Sequence, residues 1–143
     1  MTINCYEKSD GISGDMTICL SFDERNKSRG KAVAQGGQMV AWFLQRGEHL
    51  RQDDVLKTEC GQFVRIVSAK EPVSKVTTDD SYLLTRAAYH LGNRHVPLQV
   101  KPTSLLYQPD HVLDEMIRGL GLTVERIDSA FQPESGAYDS HDH

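Results

Sequence analysis

Residues 81–92, with the sequence SYLLTRAAYHLG, decide the fold of the second half of this chain. Their apolar side chains recur every three to four positions, which is the period of one face of an α-helix. Asp79 or Asp80 precedes the segment as a candidate N-cap, and Gly92 closes it as a candidate left-handed stop. The pattern predicts an amphipathic helix that buries the side chains of Leu83, Leu84, Ala87, Ala88 and Leu91.

A second helix with the same apolar spacing is predicted further along the chain. Asp110 is its candidate N-cap, and the helix ends, like the first, in a leucine and a glycine, Leu120 and Gly121. Runs typical of strands surround the two helices, at residues 73–76, 96–100, 104–107 and 122–127. The resulting order β-α-β-β-α-β predicts a ferredoxin-like domain with one antiparallel sheet.

The first half of the chain has the pattern of short strands. They are predicted at residues 16–22, 31–35, 38–44, 55–58 and 63–69, and Gly36-Gly37 predicts a two-residue hairpin turn. Five or six short strands in about 70 residues predict a small β barrel or sandwich. We therefore expect an α+β chain with a β-rich domain at residues 1–70, a ferredoxin-like domain at 71–138 and a flexible tail at 139–143.

Composition excludes several classes of protein. A net charge of −4 argues against binding to nucleic acid, which usually requires a basic face. We expect no membrane segment and a cytoplasmic location, since the chain has neither a run of about 20 apolar residues nor the apolar core of a signal peptide. The three cysteines, Cys5, Cys19 and Cys60, are far apart and odd in number, which favours reduced thiols over a disulfide framework.

Histidines dominate the second half, which holds five of the chain's six. A neutral imidazole binds nickel, copper and zinc well, so metal handling is the first hypothesis. His95 is the strongest candidate, because it follows the predicted helix in a turn from which its side chain can reach outward. A capping or surface histidine is the alternative for His95, and we interpret His90 as structural or peripheral.

His111 lies in the first turn of the second predicted helix, directly after Asp110. These two residues could hold a second, weaker ion, with Asp114 and Glu115 on the same polar face of the helix. The alternative for His111 is an ordinary surface histidine.

The chain ends with His141 and His143 on either side of Asp142. Both imidazoles could fold back onto one ion, and a solvated polar end is an equally weighted alternative. The sequence has no glycine-rich phosphate loop, and no serine or cysteine nucleophile stands beside a histidine and an acid. We therefore expect a protein that is not an enzyme.

The histidine-rich half also resembles a known family. Residues 89–99, YHLGNRHVPLQ, resemble the central motif of the UreE family of urease accessory proteins. Residues 110–116 and 131–138 resemble the next two landmarks of that family, and residues 27–29 and 53–56 resemble its amino-terminal half. The resemblance covers nearly the whole chain.

The resemblance implies a nickel chaperone of urease assembly that works as a homodimer. Its first domain would be similar to peptide-binding domains of co-chaperones, and two chains would pair through the ferredoxin-like domain. His95 would share Ni(II) with its twin across the two-fold axis, and His141 and His143 would complete the coordination. An auxiliary site would lie at His111 with Asp110. The implied partners are the urease apoprotein and its accessory proteins, including a GTP-hydrolysing one.

Two departures from the family pattern limit what is carried over. Some members have a long histidine run in the tail, whereas this tail has two histidines, so its capacity should be small. Some members have a histidine before the Asp-His pair, where Gln108 and Pro109 stand here, which weakens the case for the auxiliary site.

An all-nitrogen site should also accept Zn(II) or Cu(II). A general zinc or copper buffer, and a peptide-binding co-chaperone with incidental histidines, remain the alternative functions.

Overall fold

The computed structural model describes residues 1–11 and 14–135. The chain divides into two compact units, of which the first is Met1–Ala69 and the second begins at Lys70. The tail predicted at residues 139–143 lies outside the described residues. No helix in the described part of the chain has the length and apolar character that crossing a bilayer would require.

The first unit is a six-stranded sheet that curls into a nearly closed barrel. Its strand order is β2-β6-β5-β1-β4-β3, and β1–β4 and β2–β6 are the parallel pairs. The Gln35 N–H donates to the carbonyl of Thr17 at 3.0 Å, which brings the end of β3 beside β2. The prediction of a small β barrel or sandwich is confirmed, and the barrel is the form observed. The elements are β1 (Thr2–Ser9), β2 (Met16–Leu20), α1 (Phe22–Arg25), β3 (Arg29–Val33), β4 (Met39–Phe43), β5 (Val55–Thr58) and β6 (Phe63–Ser68).

Trp42 is buried in the barrel core, with 1% of its surface exposed. Its indole Nε1 donates to the carbonyl of Lys27 at 3.0 Å, so the buried polar atom is paired. Gly30 lies against the ring, and a Cβ at that position would overlap the indole. Cys5 is also buried in this core, and burial together with the charge of Glu59 raises the pKa of its thiol to about 11. That thiol is therefore protonated at neutral pH.

The strand predicted at residues 16–22 ends early, at Leu20. Ser21 N-caps the short helix α1 in a capping box, in which its hydroxyl accepts from the Glu24 N–H and its own N–H donates to Glu24 Oε1 at 2.9 Å. These paired caps satisfy amide groups that would otherwise be unpaired at the helix start, which is why the chain leaves the extended conformation here. Phe22 belongs to the helix rather than to the strand.

The hairpin between β3 and β4 also differs from the predicted two-residue turn. The Gly37 N–H donates to the carbonyl of Ala34 at 2.9 Å, so the turn is centred on Gln35 and Gly36. Gly37 follows in the left-handed region with a φ of +92°. This is the three-residue connection in which a glycine forms a bulge after the turn.

The second unit has the predicted ferredoxin-like plan. Its strand order is β10-β7-β9-β8, and every pair in the sheet is antiparallel. Both helices present their apolar stripe to a core that includes Val76, Leu105 and Tyr107 from the sheet. The elements are β7 (Lys70–Thr77), α2 (Ser81–Asn93), β8 (Leu98–Val100), β9 (Ser104–Tyr107), α3 (His111–Gly119) and β10 (Glu125–Ala130).

The last strand of this unit begins three residues later than predicted. The segment after α3 is held by a helix stop, in which Gly121 has a φ of +94° and the Leu122 N–H donates to the carbonyl of Ile117 at 3.4 Å. Leu122 is buried in the core at this stop. The strand therefore runs over Glu125–Ala130, paired with β7, and the prediction of 122–127 is wrong at both ends.

Candidate metal-binding site

His95 lies immediately after α2 in an unusual backbone conformation. The helix runs past Gly92 to Asn93, Arg94 is its C-cap, and His95 is the left-handed residue with a φ of +58°. The His95 N–H donates to the carbonyl of Gly92 at 3.0 Å, which closes the helix end. The prediction that Gly92 is the left-handed stop is therefore wrong, since Gly92 lies inside the helix.

The His95 side chain is exposed at this end of the helix. The carboxyl end of a helix carries the negative pole of its dipole, which favours a nearby cation. The structure thus places the imidazole in an accessible turn, as the sequence predicted, and adds an electrostatic field that suits a metal ion.

His111 lies at the amino end of a helix, whereas His95 lies at the carboxyl end of one. It is the first residue of α3 and is exposed, directly after the N-cap Asp110. Asp110 Oδ1 accepts from the N–H groups of Val112 at 2.8 Å and Leu113 at 3.1 Å. The amino end of a helix carries the positive pole of the dipole, which disfavours a cation. The cap also leaves Oδ2 as the oxygen with which Asp110 would contact an ion beside His111.

The second unit contains a pocket of about 190 Å³. Val96, the residue after His95, and Asp110, the residue before His111, both line it. Neither histidine is among the lining residues. The other lining residues are Pro97, Tyr107, Gln108, Pro109 and Leu113.

Asp114 does not lie on the polar face where the sequence placed it. Its side chain is buried, and it accepts hydrogen bonds from Tyr107 Oη at 2.7 Å and from Arg126 Nη2 at 2.9 Å. Burial alone would raise the pKa of Asp114, but the hydrogen bonds from Arg126 and Tyr107 outweigh it and hold the pKa below its ordinary value. Burial and the bond to Asp114 raise the pKa of Tyr107. Asp114 therefore anchors α3 to β9 and β10 and does not face a metal at His111.

The remaining histidines of the prediction are placed as follows. His90 is half-buried near the end of α2, with its ring edge-on to Tyr89 at 5.2 Å between centroids. His141 and His143 lie outside the described residues. Within residues 1–11 and 14–135, no three histidine, cysteine, aspartate or glutamate side chains come together.

Comparison with known proteins gives matches over both units. Residues 10–69 match the N-terminal domain of the UreE urease accessory protein, and residues 71–143 match its C-terminal domain. A protein named urease accessory protein UreE from Saccharophagus degradans is 54% identical over 123 residues, which cover 86% of this chain and 73% of that protein. The protein of the same name from Teredinibacter turnerae is 50% identical over 139 residues, 95% of this chain and 90% of its own length. The one from Proteus mirabilis is 52% identical over 123 residues, which cover 86% of this chain and 76% of that protein.

Proposed function

Because this chain belongs to the UreE family of urease accessory proteins, we propose that it is a nickel chaperone of urease maturation. It binds Ni(II) at a histidine site shared by two copies of the chain and hands the ion on. It acts in the cytoplasm as a carrier, without catalysing a reaction.

The position of His95 carries this proposal. An exposed imidazole at the carboxyl end of α2 has both the donor atom and the field that a cation requires. A single imidazole makes a weak site. In the proposed dimer a two-fold axis passes next to His95, so the two copies supply two imidazoles to one ion. The carboxyl ends of both α2 helices are then directed at that ion. The dimer is thus part of the site.

His141 and His143 supply the further ligands in this proposal. Ordering a free chain end costs roughly 1–2 kcal/mol for each residue fixed. Ligands from the tail therefore strengthen the site while keeping release easy. A carrier has to bind the ion tightly and also release it. The two fixed His95 ligands serve binding, and the ligands from the tails can leave one at a time during release.

His111 and Asp110 form a second, weaker site. The cap bonds engage one oxygen of Asp110, and the positive pole of α3 opposes a cation there. We expect this site to fill only after the shared one.

Copper and zinc compete for the shared site, since imidazole ligands follow the usual divalent order in which copper binds most tightly. Selection for nickel therefore comes from supply and from partners, which we take to be the urease apoprotein and its accessory proteins, including the GTP-hydrolysing one. The domain limits proposed are 1–70 for a peptide-binding-like domain, 71–138 for metal binding and dimerisation, and 139–143 for the tail.

Equilibrium dialysis with Ni(II) tests this function most directly. We expect one tightly bound ion per two chains for the intact protein, and loss of that ion in His95→Gly with the dimer intact by sedimentation. Glycine is the preferred replacement because it suits the left-handed backbone at position 95. His111→Ala is the matched control and should keep the tight ion. An unchanged ratio in His95→Gly would refute the shared site.

A further inference from the structure

The last described segment of the chain follows the edge strand β8 of the second unit. The Gln132 N–H donates to the side-chain Oε1 of Gln99 at 3.0 Å. The Glu134 N–H donates to the carbonyl of Leu98 at 2.8 Å. Pro133, between these two contacts, is buried. The chain therefore advances from the side of Gln99 to that of Leu98, toward the beginning of β8.

The pocket described above borders the beginning of this strand. Pro97, which precedes Leu98, lines the pocket, and so does Tyr107, which is paired with Leu98 in the sheet. Of the seven lining residues that the structure describes, five are apolar or aromatic. Sites for small molecules usually have volumes of roughly 300–1,000 Å³. The pocket, at about 190 Å³, is better matched to a single side chain.

The tail contains one side chain suited to such a pocket. Residue 135 is the last that the structure describes, and Tyr138 is the one large apolar side chain in residues 136–143. Tyr138 is four residues beyond Glu134, a reach of up to about 14 Å in an extended chain. A buried tyrosine hydroxyl requires a hydrogen-bond partner. The polar residues of the lining, Gln108 and Asp110, are of the kind that can supply one.

We propose that Tyr138 docks in this pocket of its own chain and anchors the tail beside the metal site, an inference that deepens the proposed function and rests on it. The path of residues 132–134 favours the chain's own tail over a second copy, because it brings that tail to the pocket. Val96 lines the pocket and directly follows His95. His141 is three residues beyond Tyr138, so it can reach up to about 11 Å from the anchor.

Anchoring changes the length of tail that has to be ordered on metal binding. With Tyr138 docked, only residues 139–143 remain beyond the anchor, whereas without it the tail begins at residue 135. A shorter connection raises the effective concentration of His141 and His143 at the shared ion. Doubling the length of a connecting segment lowers the probability of closure by about threefold.

Nuclear magnetic resonance of the full, metal-free chain tests the docking itself. We expect contacts between the Tyr138 ring protons and the methyl groups of Val96 and Leu113, two residues of the pocket lining. A sample that mixes labelled and unlabelled chains distinguishes contacts within a chain from contacts between chains. Tyr138→Ala should shift the amide signals of Val96 and Leu113, and Tyr138→Phe should keep the ring contacts. Ser140→Ala, beyond the anchor, is the matched control and should leave those signals in place.

Two results would overturn the docking. One is the absence of contacts between the Tyr138 ring and the pocket in the intact chain. The other is contacts that occur only between chains, which would assign the pocket to the tail of a second copy.

Titration with Ni(II) tests what the anchor does. Tyr138→Ala should weaken the affinity by at least about threefold at an unchanged ratio of ions to chains, and Ser140→Ala should not change it. An unchanged affinity in Tyr138→Ala would refute the role of the anchor in metal binding. If the intact chain bound no Ni(II) but the ring contacts were present, the docked tail would stand and the carrier function would be the part that is wrong.

Discussion

His95 and Gly121 occupy equivalent positions at the ends of the two helices of the second unit. Each is the left-handed residue that follows the C-cap, with φ angles of +58° and +94°. Each N–H donates to the carbonyl three residues earlier, His95 to Gly92 at 3.0 Å and Gly121 to Arg118 at 2.9 Å. Glycine adopts this conformation freely, whereas other residues do so uncommonly. A histidine therefore stands at a position where the backbone favours glycine.

Replacing His95 should separate metal binding from stability. Both His95→Gly and His95→Ala should lose the tightly bound Ni(II), because neither supplies an imidazole. His95→Gly should be more stable than His95→Ala by about 1 kcal/mol, since a Cβ is penalised in the left-handed region. Urea unfolding without metal checks this difference. Equal stability of the two variants would argue that position 95 carries no backbone strain.

The opposite change at the other helix end is the matched comparison. Gly121→Ala should lower the free energy of unfolding by about 1–2 kcal/mol, because Gly121 has a φ of +94°, which penalises a Cβ. A Cβ at this position would contact no other atom, so the whole effect comes from the backbone conformation. The affinity for Ni(II) should not change. A Gly121→Ala variant as stable as the intact chain would show that the helix ends tolerate side chains equally.

Nickel binding should depend on proton concentration. An imidazole must be neutral to bind the ion, so the affinity should fall steeply as the pH drops below about 6.5, where free imidazole takes up a proton. Two histidines at the shared site make this decrease steeper than one would. Calorimetric titrations with Ni(II) between pH 8 and 5.5 measure it. A flat affinity over that range would count against imidazole ligands.

Removing the tail should weaken the site without destroying the dimer. Deletion of residues 139–143 takes away His141 and His143, while His95 and its exposed turn remain. We expect weaker binding of Ni(II) at an unchanged ratio of ions to chains. Dialysis and sedimentation of the truncated chain test this, with His141→Ala/His143→Ala as the control that keeps the chain length. Loss of the dimer on truncation would contradict the assignment of dimer contacts to the ferredoxin-like domain.

The buried carboxylate of Asp114 should make the fold sensitive to acid. Because hydrogen bonds hold its pKa below the ordinary value, the ionised group stabilises the fold fully above the unfolded carboxyl pKa of about 4, and this contribution is lost as the pH falls through the lower folded value. Asp114→Asn should lower the free energy of unfolding by about 1–3 kcal/mol at pH 7. The difference from the intact chain should shrink at pH 3.

Circular dichroism in urea measures this dependence, and Asp128→Asn is its control, since Asp128 is exposed on β10. That control should leave the stability nearly unchanged at both values of pH. A deficit in Asp114→Asn that is the same at pH 7 and pH 3 would mean that the charge of Asp114 does not contribute.

The helices and several strands were predictable because their signals are local. The apolar stripes of α2 and α3 recur with the helical period, and Asp80 and Asp110 cap them as their positions indicate. Strands β5 and β9 have the predicted bounds, at Val55–Thr58 and Ser104–Tyr107. In each case a few neighbouring residues decide the structure.

Strand β1 was not predicted, because its pattern is broken. Cys5 is its one fully buried residue, and the pairing with β5 shifts register between Cys5 and Glu7, which leaves Tyr6 as the extra residue. Because Glu7 and Lys8 are both charged, the segment lacks the alternation of apolar and polar residues by which strands are recognised in a sequence. What holds β1 is pairing on both sides, with β4 and β5, and those partners lie far away along the chain.

The candidate site was predictable in its composition and less so in its geometry. The exposed turn at His95 follows from the end of a helix, but its left-handed backbone does not, since Gly92 offers a more usual stop. The burial of Asp114 depends on Tyr107 and Arg126, which reach it from two different strands. A polar residue beside an apolar stripe was the one signal available for that network.

The single tryptophan of the chain gives an optical means of following one unit alone. Trp42 is enclosed in the barrel core of the first unit, and the second unit contains no tryptophan. Indole fluorescence therefore reports the melting of the barrel, while both helices that report most strongly in the far ultraviolet, α2 and α3, lie in the second unit. If the two spectroscopic transitions of one sample fall at different temperatures, the units unfold as separate cooperative bodies.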